Sequence, residues 1–90
     1  MVRVNLKIYG EVQGVFFRRS AKLEAENLEI VGWVKNSDDG SVEIMAQGPR
    51  DKIKKFIAWC KKGPPFAKVK EVEAEVQKGT EDFKDFSIHD

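Results

Sequence analysis

Between Ile8 and Phe17 the hydrophobic period of this chain switches from that of a strand to that of a helix across one glycine-bearing turn. Before the switch, Val2, Val4, Leu6 and Ile8 alternate with Arg3, Asn5, Lys7 and Tyr9, the signature of a strand that buries one face. After it, Phe17, Ala21, Ala25 and Leu28 recur at helical spacing, within roughly 80° on a wheel that advances ~100° per residue. The turn Gly10-Glu11-Val12-Gln13-Gly14-Val15-Phe16 must therefore pass an extended chain directly into a helix that begins beside Arg18. Such a junction commits the chain to layers of helix on sheet.

The remaining elements follow the same logic. Ile30, Val31, Trp33 and Val34 are strand formers, Asn36-Ser37-Asp38-Asp39-Gly40 is a dense turn signal, and Val42, Ile44 and Ala46 resume alternation, which predicts a β-hairpin. Gly48-Pro49 punctuates, and Asp51 suits a first helical turn. Ile53, Phe56, Ile57 and Cys60 then share one face until Lys61-Lys62-Gly63-Pro64-Pro65 ends the second helix. Val72, Ala74 and Val76 alternate with Glu71, Glu73 and Glu75 in a further strand. Val69 is out of phase with it, which calls for a bulge or a late start. A Gly79-Thr80 turn and a short Phe86, Ile88 segment are expected after that strand. The order strand, helix, strand, strand, helix, strand predicts an α+β fold of the ferredoxin-like split βαβ type (βαββαβ), an antiparallel sheet with two helices on one face. Residues 1–90 are expected to form one domain, because a chain of 90 residues has material for one modest core.

Composition narrows function mainly by exclusion. Sixteen basic and 15 acidic residues leave a net charge of +1, so nothing global draws the chain to nucleic acid or to an anionic membrane. No apolar run approaches the ~20 residues of a membrane helix, and Met1-Val2-Arg3-Val4 opens a strand rather than a signal peptide. A cytoplasmic protein, not membrane-bound, is expected. One cysteine and one histidine supply no metal-ligand cluster, so no metal and no cofactor are expected.

Anion binding must then be local, and the first turn is suited to it. A strand that enters a helix through a glycine turn aims several N–H groups at one point, with the positive end of the helix dipole behind them. Arg18 could add a planar fork of donors whose charge persists at any working pH. The alternative is a tight turn beside a surface arginine. Asn36 ends a strand that could lie beside the first one, and its amide could hold a water by its oxygen while its NH₂ points to a phosphoryl oxygen. It cannot act as a base. Ordinary turn chemistry before Ser37-Asp38-Asp39-Gly40 is the alternative there.

Taken together, the two stretches resemble the signature motifs of the acylphosphatase family. Gly10, Val12, Gln13, Gly14, Val15, Phe17 and Arg18 fit Gly-x-Val-Gln-Gly-Val-x-Phe-Arg. Gly32, Trp33, Val34, Lys35, Asn36, Gly40, Val42 and Gly48 fit the second motif, and no required position departs from either. Length and element order agree, so the similarity spans essentially the whole chain. The resemblance implies hydrolysis of the carboxyl-phosphate anhydride of small acyl phosphates to a carboxylate and inorganic phosphate, without a metal. By position it implies that Arg18 binds the phosphoryl group and Asn36 positions the attacking water. It further implies that backbone N–H groups of Gln13, Gly14, Val15, Phe16 and Phe17 complete the cradle. In similar enzymes a phosphate oxygen of the substrate is thought to take the water's proton, which fits the lack of a general base near either motif. The acyl group is expected to be read loosely and the chain to work as a monomer. Related acylphosphatases often end in an aromatic residue, where this chain has Asp90.

Other residues invite plainer readings. Cys60 is expected as a buried small hydrophobe rather than a phosphoenzyme nucleophile. His89 is expected to be solvated or frayed, and Trp33 and Trp59 to pack rather than stack on substrate. Lys35 is a candidate source of positive potential near the site. Two other functions compete with the enzyme: a non-catalytic phosphate-binding module, and an RNA-binding domain using the open sheet face. Asn36 beside Arg18 argues against the first, and the few aromatics among Arg3, Asn5, Lys7 and Tyr9 against the second.

Overall fold

The alternation of the first strand carries straight into the core: Val4, Leu6 and Ile8 are at most 1% exposed. The computed structural model describes residues 1–78 and 83–90. Its elements are β1 (Val2–Glu11), α1 (Phe17–Asn27), β2 (Val31–Asn36), β3 (Val42–Gly48), α2 (Arg50–Lys62), β4 (Lys68–Gln77) and β5 (Phe86–His89). The sheet order is β4-β1-β3-β2-β5. β1 is an interior strand antiparallel to both β3 and β4, with Leu6 opposite Ile44 on one side and Ala74 on the other. Phe17, Ala21 and Ala25 of α1 and Ile53, Phe56 and Cys60 of α2 close over the same sheet face. Each large side chain buried there contributes roughly 1.5–3 kcal/mol. The expected ferredoxin-like α+β fold is the one observed.

Three details refine that expectation. The short terminal segment is a fifth strand that runs parallel to β2, with Gly32 opposite Phe86 and Lys35 opposite His89, so the sheet is mixed rather than wholly antiparallel. The expected Gly79-Thr80 turn lies outside the described residues. The phase slip at Val69 is a bulge: Tyr9 pairs with Glu71 and Gly10 with Val69, which leaves Lys70 unopposed and turns Val69 towards the core. Gly10 permits it, because at φ +131° a Cβ would sit 2.1 Å from the Lys68 carbonyl oxygen. β4 buries less than its alternation suggests, and Val76 is 75% exposed. As an edge strand it overhangs the helical layer, and its lysines and glutamates discourage pairing with another edge.

α2 begins after Pro49, carries Asp51 in its first turn and Lys61 and Lys62 in its last, and ends where the Gly63 N–H donates to the Trp59 carbonyl at 2.7 Å. Trp59 packs on Phe17 and Phe56, with ring centroids 5.5 and 6.2 Å away. α1 therefore rests on α2 through Phe17, the residue that follows the first loop. The helix bearing Arg18 is thus anchored at its first turn.

Candidate active site

The loop from Val12 to Phe16 enters α1 without a side-chain cap. Among the described residues, no turn, loop or cap hydrogen bond uses the N–H groups of residues 12–17, so these donors are unspent. Two left-handed residues bend the loop: Gly14 at φ +75°, and Phe16 at φ +64°. A glycine takes that conformation freely. A phenylalanine costs roughly 1 kcal/mol or more there, and such strain gathers at functional sites. Val12 is buried and Val15 packs against the core, so the loop hangs from its apolar residues and offers its backbone.

Gly14, Phe16, Phe17, Arg18 and Asn36 line one pocket of about 290 Å³, with Val12, Arg19 and Ile88 completing its walls. The two sequence motifs therefore meet in space. Among the described residues the Asn36 side-chain amide has no hydrogen-bond partner, which leaves both its oxygen and its NH₂ available. The rim is apolar, with Phe16 69% and Ile88 41% exposed. Among the described residues that line the pocket there is no carboxylate or imidazole to act as a general base.

Two supports hold the pocket together. Arg18 Nη1 donates to the His89 carbonyl at 3.0 Å and lies 3.8 Å from Asp90 Oδ1. The Asp90 side chain is fully exposed, so the carbonyl bond is the more effective restraint. Gln13 Nε2 donates to the Ser37 carbonyl at 2.8 Å and to the Ser41 carbonyl at 2.9 Å. Those carbonyls belong to the turn after Asn36, which is closed by Ser37 N–H to Ser41 O and Gly40 N–H to Ser37 O. Asp39 Oδ1 accepts from both the hydroxyl and the N–H of Ser41, and these bonds hold the Asp39 carboxyl below its ordinary range.

The Gln13 side chain does not line the pocket but reaches the neighbouring turn, while the expectation for this residue concerns its backbone N–H. Val15 likewise faces the core. Lys35 lies on the open sheet face, with Nζ 3.7 Å from Glu43 and over the Trp33 ring, and does not line the pocket. His89 is exposed but not frayed, because β5 pairs it with Lys35 and its ring stacks on Trp33 at 5.6 Å. Cys60 is completely buried, and burial pushes its thiol well above the ordinary value, with Glu24 adding to the effect. That removes it as a nucleophile. Val12, named in the sequence only as a motif position, Arg19, which flanks the loop and reads there as a solvated charge, and Ile88, given no role at the site, also line the pocket. Ile88 alternates visibly with Phe86, but only the parallel pairing of β5 brings it to the site.

A larger groove of about 810 Å³ runs along α1 and the end of α2, past Leu23, Trp59 and Pro64. On the open sheet Glu43, Glu71, Glu73 and Glu75 interleave with Arg3, Lys7 and Lys35, so that face offers RNA no basic surface. No helix among the described residues is long and apolar enough to cross a membrane.

Comparison with known proteins agrees with this geometry. The acylphosphatase family profile matches residues 4–88. An acylphosphatase of Pyrobaculum islandicum is 49% identical over 88 residues, covering 97% of this chain and 93% of its own. One from Methylococcus capsulatus is 39% identical, with 98% and 96% covered. The crystal structure of the Bacillus subtilis acylphosphatase superposes with a TM-score of 0.96 at 39% identity, covering 99% of both chains. These matches put the chain among small α+β phosphohydrolases. More narrowly, it belongs to the acylphosphatase family, enzymes that hydrolyse acyl phosphates to a carboxylate and phosphate.

Proposed function

We propose that this chain hydrolyses small acyl phosphates in the 290 Å³ pocket, without a metal and as a monomer of one domain. The phosphoryl group sits on the N–H groups of residues 13–17, and Arg18 forks onto its oxygens. Asn36 holds the attacking water by its side-chain oxygen. The supporting observation is that Arg18, Asn36 and three residues with unspent N–H groups, Gly14, Phe16 and Phe17, border the same small space.

The chemistry asks little more. The water oxygen forms a bond to phosphorus, the bond from phosphorus to the acyl oxygen breaks, and the electron pair leaves on a carboxylate. A carboxylate is stable at neutral pH, so no general acid is required. The water's proton passes to a phosphoryl oxygen, giving dihydrogen phosphate, so no protein base is required either. Positioning and charge stabilisation supply the acceleration, as expected for a loose phosphoryl-transfer transition state. The rim of Phe16 and Ile88 meets the acyl part, gripping apolar acyl groups modestly and rejecting few.

The test is hydrolysis of an aromatic acyl phosphate at neutral pH with a strong chelator present, for the parent and two variants. Full parent activity is expected in chelator. Asn36→Ala should lose turnover yet keep inhibition by inorganic phosphate, whereas Arg18→Ala should lose both. Chelator inhibition would overturn the metal-free reading, and equal loss of phosphate affinity in both variants would overturn the division of roles.

A further inference from the structure

The Gln13 side chain ties the two halves of the pocket to each other, and nothing in the reaction outlined above uses it. Its NH₂ group has two hydrogens, and both are spent on the turn after Asn36: one on the Ser37 carbonyl at 2.8 Å, one on the Ser41 carbonyl at 2.9 Å. Only the nitrogen end of the amide can serve two carbonyls, so these partners fix its orientation. Each carbonyl already accepts a backbone bond, from Gly40 N–H and Ser37 N–H respectively. The clamp therefore rests on a turn that is already closed. Its effect is not to make the turn but to locate it relative to the loop at Gly14 and Arg18, across 24 and 28 residues of sequence.

From this geometry we infer that Gln13 is a positioning residue: its side-chain amide sets the distance between the phosphoryl cradle and the Asn36 amide. The inference rests on the proposed role of Asn36. Ser37 follows Asn36 directly, so a displacement of the Ser37 carbonyl moves the asparagine with it. In phosphoryl transfer the attacking oxygen must lie in line with the leaving group, and a misplacement near 1 Å costs on the order of a hundredfold. Partial loosening of a turn that keeps its own bonds costs less. Gln13 is exposed, so its removal leaves no cavity and exposes no core.

The experiment is a double-mutant cycle between Gln13→Ala and Asn36→Ala, read as kcat and as the inhibition constant for inorganic phosphate. Gln13→Met serves as an uncharged variant of similar length that cannot donate. Gln13→Ala and Gln13→Met should each lower kcat about tenfold, with phosphate inhibition within about threefold of the parent. In the Asn36→Ala background the further loss of kcat should shrink to less than about twofold, because no held water remains to misplace. Parent-like kcat in the Gln13 variants, a fully additive cycle, or a loss of phosphate affinity as large as the loss of kcat would each overturn the inference, while the role of Asn36 would stand. Should Asn36→Ala itself keep parent turnover, the water assignment fails first and this inference falls with it.

Discussion

The two stretches that meet at the pocket are built on opposite principles. The Val12–Phe16 loop satisfies almost nothing internally: its N–H groups are unspent, its helix has no side-chain cap, and Phe16 is held in a left-handed conformation. The turn after Asn36 is over-satisfied, since the Ser37 and Ser41 carbonyls each accept twice and Asp39 binds Ser41 twice. An anion can only be bound by donors that the fold has left over. A water can only be aimed from a base that does not move. The site thus divides into a region kept open and a region kept closed, and the comparison predicts different failures in each.

The largest failure should come from the open side. Arg18→Ala is expected to lower kcat/KM by at least about a thousandfold, or ~4 kcal/mol, and to abolish inhibition by phosphate. Steady-state kinetics with phosphate as inhibitor checks this, and retained inhibition would mean that the backbone alone suffices. Asn36→Ala should cost about a hundredfold in kcat with the phosphate constant unchanged, so a rise in that constant would blur the division between the halves. Phe16→Gly should have a smaller effect of opposite sign on stability. Release of the left-handed strain should raise the thermal midpoint by a few degrees, while KM for an aromatic acyl phosphate rises a few-fold. A lower midpoint would show that the exposed ring packs more than its exposure suggests.

The smallest effect concerns acid. Asp39 is held below its ordinary 3.8 by the Ser41 hydroxyl first and the Ser41 N–H second. Its contribution to the turn is therefore complete above that value and is lost as pH falls below it. Turnover should hold down to about pH 4, and the acid limb should move upward in Ser41→Ala, where the larger of the two bonds is gone. A limb that does not move would show that the turn keeps its shape without Asp39.

Much of the open half was legible in the sequence, because it is local: a period change, two glycines and an arginine occupy one short stretch. Asn36 was legible as a candidate for the same reason. What could not be read were the long-range ties. The side chain of Gln13 reaches a turn 24 residues away, and no periodicity announces that reach. β5 was visible only as a short segment, and its parallel placement beside β2, which delivers Ile88 and the His89 carbonyl, depends on the whole sheet being assembled. The left-handed Phe16 was equally hidden, since phenylalanine gives no hint of that conformation in a position where glycine or asparagine would. The overstated burial of β4 has a different cause: alternation reports which residues share a face, not whether a helix covers it.

The bond from Arg18 to the His89 carbonyl spans 71 residues, among the longest separations a chain of 90 can close. Closing contacts so far apart is entropically the most demanding part of reaching the native topology. A refolding chain could bury much of its core and form the strand-to-helix loop while the arginine still lacks its hold. Recovery of hydrolysis after dilution from denaturant is therefore expected to lag behind recovery of tryptophan fluorescence, and simultaneous recovery would count against it. Turnover in this molecule would then serve as a clock for the final step of its own assembly.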